Sequence, residues 1–162
     1  MQIRKASISD IDTIMDIYEA GRALMRAAGN PNQWVNGYPS RELIEGDIAC
    51  GNCYVIEDES GILHGVFAFI VGDDPTYSVI EDGSWLNDEP YGTIHRIASD
   101  GTMRGILAAA VGFALDQTGN VRVDTHEDNK PMQGALAKAG FKRCGIIYCV
   151  DGTPRIAYQL KG

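Results

Sequence analysis

No uninterrupted apolar run in these 162 residues exceeds six, as at Val66–Val71, against the ~20 residues that a membrane-spanning helix needs. The opening segment, Met1 to Ser7, likewise has no apolar signal region. The expected compartment is therefore the cytoplasm, with no membrane partner. Basic clusters are missing as well. No run of Lys or Arg is longer than two, and 14 Lys+Arg stand against 22 Asp+Glu for a net charge of −8. Contacting nucleic-acid phosphates takes a clustered basic surface, so nucleic acid is not an expected partner. An acidic surface does attract cations such as amines, although it also serves solubility. Linkers, internal repeats and low-complexity tracts are absent too. With 44% hydrophobic and 22% charged residues, the composition is that of a single folded domain over 1–162, not of a disordered or fibrous chain.

Cysteine is scarce, at Cys50, Cys53, Cys144 and Cys149. The first two form a C-x-x-C, the spacing of a redox dithiol or of half a zinc site. A redox pair opens a helix after a strand, where the helix dipole lowers the thiol pKa. Here the pair follows a short helical pattern and enters a strand. The second two are five apart, so on one regular strand they face opposite ways. Ordinary thiols in a reducing compartment, and no metal, are the expectation.

What is present reads as alternating strands and helices. Gln2 to Ala6 is a first strand, and Ser9 with Asp12 forms an S-x-x-D helix-start signal. Ile11, Ile14, Met15, Tyr18 and Met25 then recur at helical spacing, ended by Gly29-Asn30-Pro31-Asn32. A shorter helix starts at Ser40. Two strands, Cys53 to Glu57 and Ile62 to Val71, flank the turn 58–61 as a hairpin. Gly72 to Gly92 follows without clear periodicity, rich in acids and holding Tyr77, Trp85 and Tyr91; a loop that long is usually functional. Thr93 to Ser99 is a strand, and Met103, Ile106, Leu107, Ala110, Val111, Ala114 and Leu115 mark the strongest helix. Val121 to Thr125 is a strand, Asn129 caps a helix that Gly140 ends, and strands at Phe141–Cys149 and Pro154–Leu160 close the chain. A strand–helix–strand unit at 93–125 calls for a parallel pair with a right-handed crossover, and the hairpins call for antiparallel pairing. The sum is an α/β fold: a single mixed, mostly antiparallel sheet with helices on both faces.

One junction bears on chemistry. Ile97-Ala98-Ser99-Asp100-Gly101-Thr102-Met103-Arg104-Gly105-Ile106 runs from strand through a glycine-containing loop into the strongest helix, where free N–H groups and the helix dipole suit a phosphate. The Gly-Lys-Ser/Thr ending and G-x-G-x-x-G are both absent, which excludes the usual nucleotide-hydrolysing and dinucleotide-binding loops. A merely structural turn stands beside the anion-site reading.

This junction, with Ile94-His95-Arg96 ahead of it, resembles the fourth strand, pyrophosphate loop and third helix of the GNAT superfamily of acyl-CoA-dependent N-acyltransferases. Val123 to Asn129, followed by Gly140-Phe141, resembles that family's fifth strand and next helix. The resemblance covers nearly the whole chain and adds to the fold a central, splayed parallel strand pair. It implies acetyl-CoA as cosubstrate in the gap between Thr93–Ser99 and Val121–Thr125. The implied cofactor-binding residues are Ile97, Ala98, Ser99, Thr102, Met103, Arg104, Gly105, Ile106, Leu107, His126 and Asn129. Two departures stand out. Of the family's Arg/Gln-x-x-Gly-x-Gly/Ala loop only Gly105 is kept, and Leu136 occupies the place of a tyrosine that in many members protonates the leaving thiolate.

The implied activity is direct acetyl transfer to a primary amine of a small metabolite, peptide or protein. An alkyl ammonium has a pKa near ~10.4, so a base must take its proton before it can attack, and a histidine suits that role. His95 lies on the strand that would hold the acetyl group, where it resembles a histidine of the arylalkylamine N-acetyltransferase branch; a structural hydrogen bond in the sheet is the competing role. On a regular strand Thr93, His95 and Ile97 share one face, and Ile94, Arg96 and Ala98 the other. Tyr148 is the candidate replacement for the missing acid, with Tyr91 as the other tyrosine considered. Asp124 and His126 are secondary candidates, and His64 reads as structural. Trp34, Tyr38, Trp85 and Tyr91 are loop aromatics expected to wall the acceptor, unless they simply anchor their loops. A homodimer is compatible with the resemblance. The competing function is a non-catalytic domain of the same fold that binds an acyl-CoA or another small anion as a sensor.

Overall fold

Helix-start chemistry and strand alternation place the elements close to where the sequence puts them. The structure is a computed structural model describing all residues, 1–162. Strand β1 (Gln2–Lys5) leads through a 3-10 turn at Ile8–Asp10 into α1 (Ile11–Ala27). The start signal is one serine earlier than expected: the Asp10 carboxylate accepts the Ser7 N–H at 2.8 Å, leaving Ser9 and Asp12 without that role. Hydrogen bonding to Arg4 also holds Asp10 at about 2 against the effect of burial. Helix α2 (Arg41–Ala49) starts as expected, with Ser40 Oγ accepting the Leu43 N–H. Strands β2 (Cys53–Glu57) and β3 (Leu63–Val71) form the hairpin. After the long loop come β4 (Gly92–Ser99), α3 (Ile106–Thr118), β5 (Asn120–Thr125), α4 (Lys130–Lys138), β6 (Lys142–Tyr148) and β7 (Pro154–Lys161). No helix is long and apolar enough to cross a membrane.

The strands form one seven-stranded sheet in the order β1-β2-β3-β4-β5-β7-β6, antiparallel everywhere except β4 beside β5. That parallel pair is joined only at Gly92–Val121 and Thr93–Arg122. Beyond Thr93 the strands part.

Each face of the sheet carries its own core. Val55 and Val66 pack with Ile14, Tyr18 and Ile44 of α1 and α2, while their strand neighbours Ile56 and Phe67 pack with Ile106, Val111 and Leu136 of α3 and α4. Alternating residues thus serve opposite layers, and each fully buried large side chain contributes about 1.5–3 kcal/mol.

Strand β4 breaks the expected alternation. His95 pairs with Ala68 and Ala98 with Val66, so Arg96 and Ile97 together stand opposite Phe67. This is a β-bulge, with Arg96 in the left-handed region at φ 51°. Past the bulge the faces exchange: Ile97 packs on the α3 side with Ile94, and Ala98 on the α1 side.

The 72–92 segment holds a 3-10 turn at Pro75–Tyr77 and a bridge from Glu81 to Ile146. It folds over a third small core of Tyr77, Tyr91, Ile147 and Ala157.

Candidate active site

Where β4 and β5 part, a cleft of about 750 Å³ opens. Its walls include His95, Arg96 and Ile97 from β4, Val123 and Asp124 from β5, and Trp34 and Tyr38 from the α1–α2 loop. The bulge sets its floor. The Tyr18 hydroxyl donates to the Arg96 carbonyl at 2.7 Å, and the Arg96 guanidinium grips Asp47 of α2 through two bonds of 2.9 Å. Bidentate pairing of this kind is strong and directional.

His95 Nε2 lies 2.7 Å from Asp74 Oδ2. Asp74 opens the 3-10 turn, where its Oδ1 accepts the N–H and hydroxyl of Thr76 at 2.8 and 2.7 Å, and its own N–H donates to the Tyr91 hydroxyl at 2.8 Å. Burial alone would raise Asp74, but the hydrogen bonds from His95 and Thr76 outweigh it and hold the carboxyl at about 2. An ionised carboxylate only accepts hydrogen bonds, so Nε2 carries the proton. Nδ1 makes no hydrogen bond within the chain, and the side chain, 20% exposed, borders the cleft. An imidazole whose tautomer is fixed by a carboxylate and whose other nitrogen is free can accept a proton.

The loop from Ser99 to Gly105 lies outside the cleft lining. Ser99 Oγ accepts the Gly101 N–H, and Asp100 Oδ1 accepts the N–H and hydroxyl of Thr102. The Thr102 N–H, expected as an anion donor, is therefore committed. From Met103 to Ala108 the backbone N–H groups find no partner in the chain, and Gly105 takes φ 83° just before α3. Ile106 is buried in the core, and Met103 and Leu107 pack against it, so these residues present backbone rather than side chain. Arg104 is exposed.

The remaining expected residues divide. Ile97 and Asn129 line the cleft with Trp34 and Tyr38. Asn129 caps α4 through Met132 and gives its amide to Gln33 Oε1 at 3.0 Å; Asn30 also donates to that oxygen. The α1–α2 loop is thereby tied to the start of α4. Trp85 and Tyr91 are not among the residues that line the cleft. They clasp the Arg122 guanidinium at 4.0 and 3.9 Å, and the Trp85 indole N–H donates to the Tyr77 carbonyl. Tyr148 also stands elsewhere, exposed, its hydroxyl donating to Glu81 at 3.0 Å. His126 accepts the Asp128 N–H and orders its own turn. His64 bridges Asp58 and Asp100. Leu136 is fully buried, in contact with no solvent. Burial pushes the Cys53 thiol up to about 12, the opposite of what a redox thiol needs.

Asp74, Asp47 and Gln33 went unread in the sequence. A carboxylate before Pro75-Thr76 is a turn cap, and Asp47 sits at helical spacing within the Ile44 and Ile48 stripe, a charge on an apolar face that asks for a partner. Gln33 has no such signal.

No protein-family model and no curated protein matches the sequence. Among solved structures, a GNAT-family acetyltransferase from Streptococcus agalactiae is 37% identical, with 99% of this chain and 95% of that one covered and a TM-score of 0.87. The chain belongs to the GNAT family of acetyltransferases. Other GNAT structures share the fold at lower identity: one from Listeria monocytogenes at 23%, covering 99% of this chain and 94% of that one with a TM-score of 0.73, and one from Bacillus cereus at 22%, covering 99% and 96% with a TM-score of 0.65. The mixed sheet with its one parallel strand pair is thus a GNAT fold, and acetyl transfer in general is the chemistry of its relatives.

Proposed function

We propose that this GNAT protein is an acetyl-CoA-dependent N-acetyltransferase that passes the acetyl group directly to a primary amine, with His95 as general base. The observation that carries this is the His95–Asp74 pair at the mouth of the strand gap, one imidazole nitrogen locked and the other free.

The residues present suit the cosubstrate. Six unpaired N–H groups at 103–108, at the positive end of a helix of 13 residues, can receive a pyrophosphate. The gap beyond Thr93 leaves the β4 backbone near Ile97 without a parallel partner. Bound there, acetyl-CoA supplies an activated acyl group on a thiol leaving group. The ammonium of the acceptor gives one proton to His95 Nδ1. The freed amine forms the new N–C bond as the C–S bond breaks, and the second amine proton leaves to thiolate or water. His95 returns its proton to solvent. A thiolate of pKa ~8.5 departs without an acid, which suits a buried Leu136 and a Tyr148 held outside the cleft.

Calorimetric titration with acetyl-CoA and with CoA, followed by thiol-release assays over a panel of primary amines, tests this. Micromolar binding and amine-dependent thiol release are expected. Absence of binding at millimolar concentration would overturn the proposal, and tight binding with no turnover of any amine would favour the sensor function.

A further inference from the structure

Most charges in the cleft are already answered. Arg96 is paired with Asp47 and His95 with Asp74. Three lining side chains are left, Asp124, Asp151 and Arg155, none of them among the chain's ion pairs, and of these Asp124 and Arg155 are the two that are not fully exposed.

Arg155 is only 9% exposed. Its Nη1 donates to Thr153 Oγ1 and the Pro154 carbonyl at 3.2 and 2.8 Å, and its Nη2 to the Gln33 carbonyl at 3.4 Å. All three acceptors are uncharged, and Nε–H and one Nη2–H remain uncommitted. Burying a guanidinium without a counter-ion is costly. Asp151 is exposed and makes no ion pair with Arg155; it feels the guanidinium only at longer range, with its Oδ1 turned to the Thr153 N–H and hydroxyl. Asp124 receives the Tyr77 hydroxyl on Oδ2 at 2.6 Å, and its Oδ1 takes no hydrogen bond.

Asp124 stands opposite Ala157 across β5 and β7, and Arg155 lies two residues from Ala157 on the same face, so the two charges are diagonal cross-strand neighbours. Burial raises the Cys149 thiol, Arg155 pulls it back down, and Asp124 adds to the rise. Both therefore act on one side chain of the cleft. A fixed cation and a fixed anion at diagonal positions on one face of the sheet, both lining one cleft, suit a ligand that carries its own opposite charges close together. Trp34 and Tyr38 line the same cleft, ring centroids 6.3 Å apart.

We propose that the acceptor is an α-amino acid bound as its zwitterion, with the ammonium toward Asp124 and His95, the α-carboxylate on Arg155, and an apolar or aromatic side chain against Trp34 and Tyr38. The acceptor assignment rests on the acetyl-transfer function above and names its substrate class. The product is the N-acetyl amino acid. The same N–C bond forms and C–S bond breaks, and the carboxylate passes through unchanged. Arg155 also explains the direction of selectivity: a carboxamide or a decarboxylated amine leaves the buried guanidinium without its anion.

The test compares leucine, methionine, phenylalanine and tryptophan, each beside its carboxamide and its decarboxylated amine, by acetyl-CoA-dependent thiol release. Removing one partner of a buried charge pair costs enough that kcat/KM for the amino acid should exceed that for its two analogues by about 100-fold. In Arg155→Gln that ratio should collapse toward one, and Arg155→Lys should keep part of it. Loosening of the fold would lower all three substrates together and leave the ratio intact, so the ratio separates recognition from stability. Equal or faster turnover of the carboxamides and amines by the unaltered enzyme, or an unchanged ratio in Arg155→Gln, would overturn the acceptor assignment while leaving acetyl transfer standing. Turnover of none of them, with acetyl-CoA bound, would overturn the acceptor assignment, and acetyl transfer falls with it only where the wider panel of primary amines also gives no thiol release.

Discussion

Asp74 decides what His95 can do. A histidine on a strand facing a cleft could hold its proton on either nitrogen; the 2.7 Å contact to a carboxylate held at about 2 leaves one choice. Replacing Asp74 by Asn keeps the shape but lets an amide N–H face the ring, which favours the wrong tautomer. We expect kcat to fall by about 10²–10⁴-fold, the usual worth of a general base, with the affinity for acetyl-CoA unchanged, as single-turnover kinetics and calorimetry would show. Because the folded pKa of Asp74 is depressed, its stabilising bonds are complete above about pH 4 and are lost only as pH falls toward 2. His95 was legible from its place in the strand. Its partner was not, because it lies 21 residues away in a segment without periodicity, and only folding brings the two together.

At the scale of elements, the segment between β3 and β4 is a built piece of structure rather than a slack loop. Arg122 sits between Trp85 and Tyr91, Tyr91 receives the Asp74 N–H, and Glu81 bridges Ile146 of β6 in both directions. The approach is so close that a Cβ on Gly83, at φ 149°, would collide with the Cys144 carbonyl. Gly83→Ala should therefore destabilise the protein by about 1–3 kcal/mol, the range for overpacking, lowering Tm by roughly 3–10 °C at this size. It should also lower kcat by disturbing Asp74. An unchanged calorimetric Tm would show the segment to be loosely held. The aromatics here were visible in sequence, but their partner was not. A cation–π clamp on Arg122 needs three residues that no local pattern links. The β4 bulge was hidden for a related reason: alternation predicts a regular strand, and only the register against β3 shows two residues opposite one.

For the whole molecule, the order of strands and helices was the most legible feature, since amphipathic periods and glycine stops act locally and add up along the chain. The crossover at β4–α3–β5 followed from the same signals, and the splay appeared where the family resemblance placed it. One long-range feature predicts global behaviour. His64 joins the β2–β3 turn to the Ser99–Gly105 loop through Asp58, at 2.8 Å, and Asp100, at 3.1 Å. Hydrogen bonding to Asp58 raises His64, and the contact to His64 lowers Asp58; Asp100 is lowered by Thr102 and His64 in spite of burial. A raised histidine stabilises the fold below its unfolded value of about 6.5 and loses that contribution as pH rises through its folded value. The lowered carboxylates stabilise above about pH 4 and lose their contribution as pH falls. Stability should peak between, and Tm should drop from pH 6 to pH 8 by more in the unaltered protein than in His64→Gln, as paired thermal scans would show. Equal drops would remove His64 from the stability of the fold.

The most direct measurement sets kcat of His95→Ala beside its affinity for acetyl-CoA. A fall in kcat of about 10²–10⁴-fold, with the dissociation constant for acetyl-CoA unchanged by calorimetry, is what a general base poised over a separate cosubstrate site predicts. Retained kcat with intact binding would contradict it, and place the proton acceptor elsewhere.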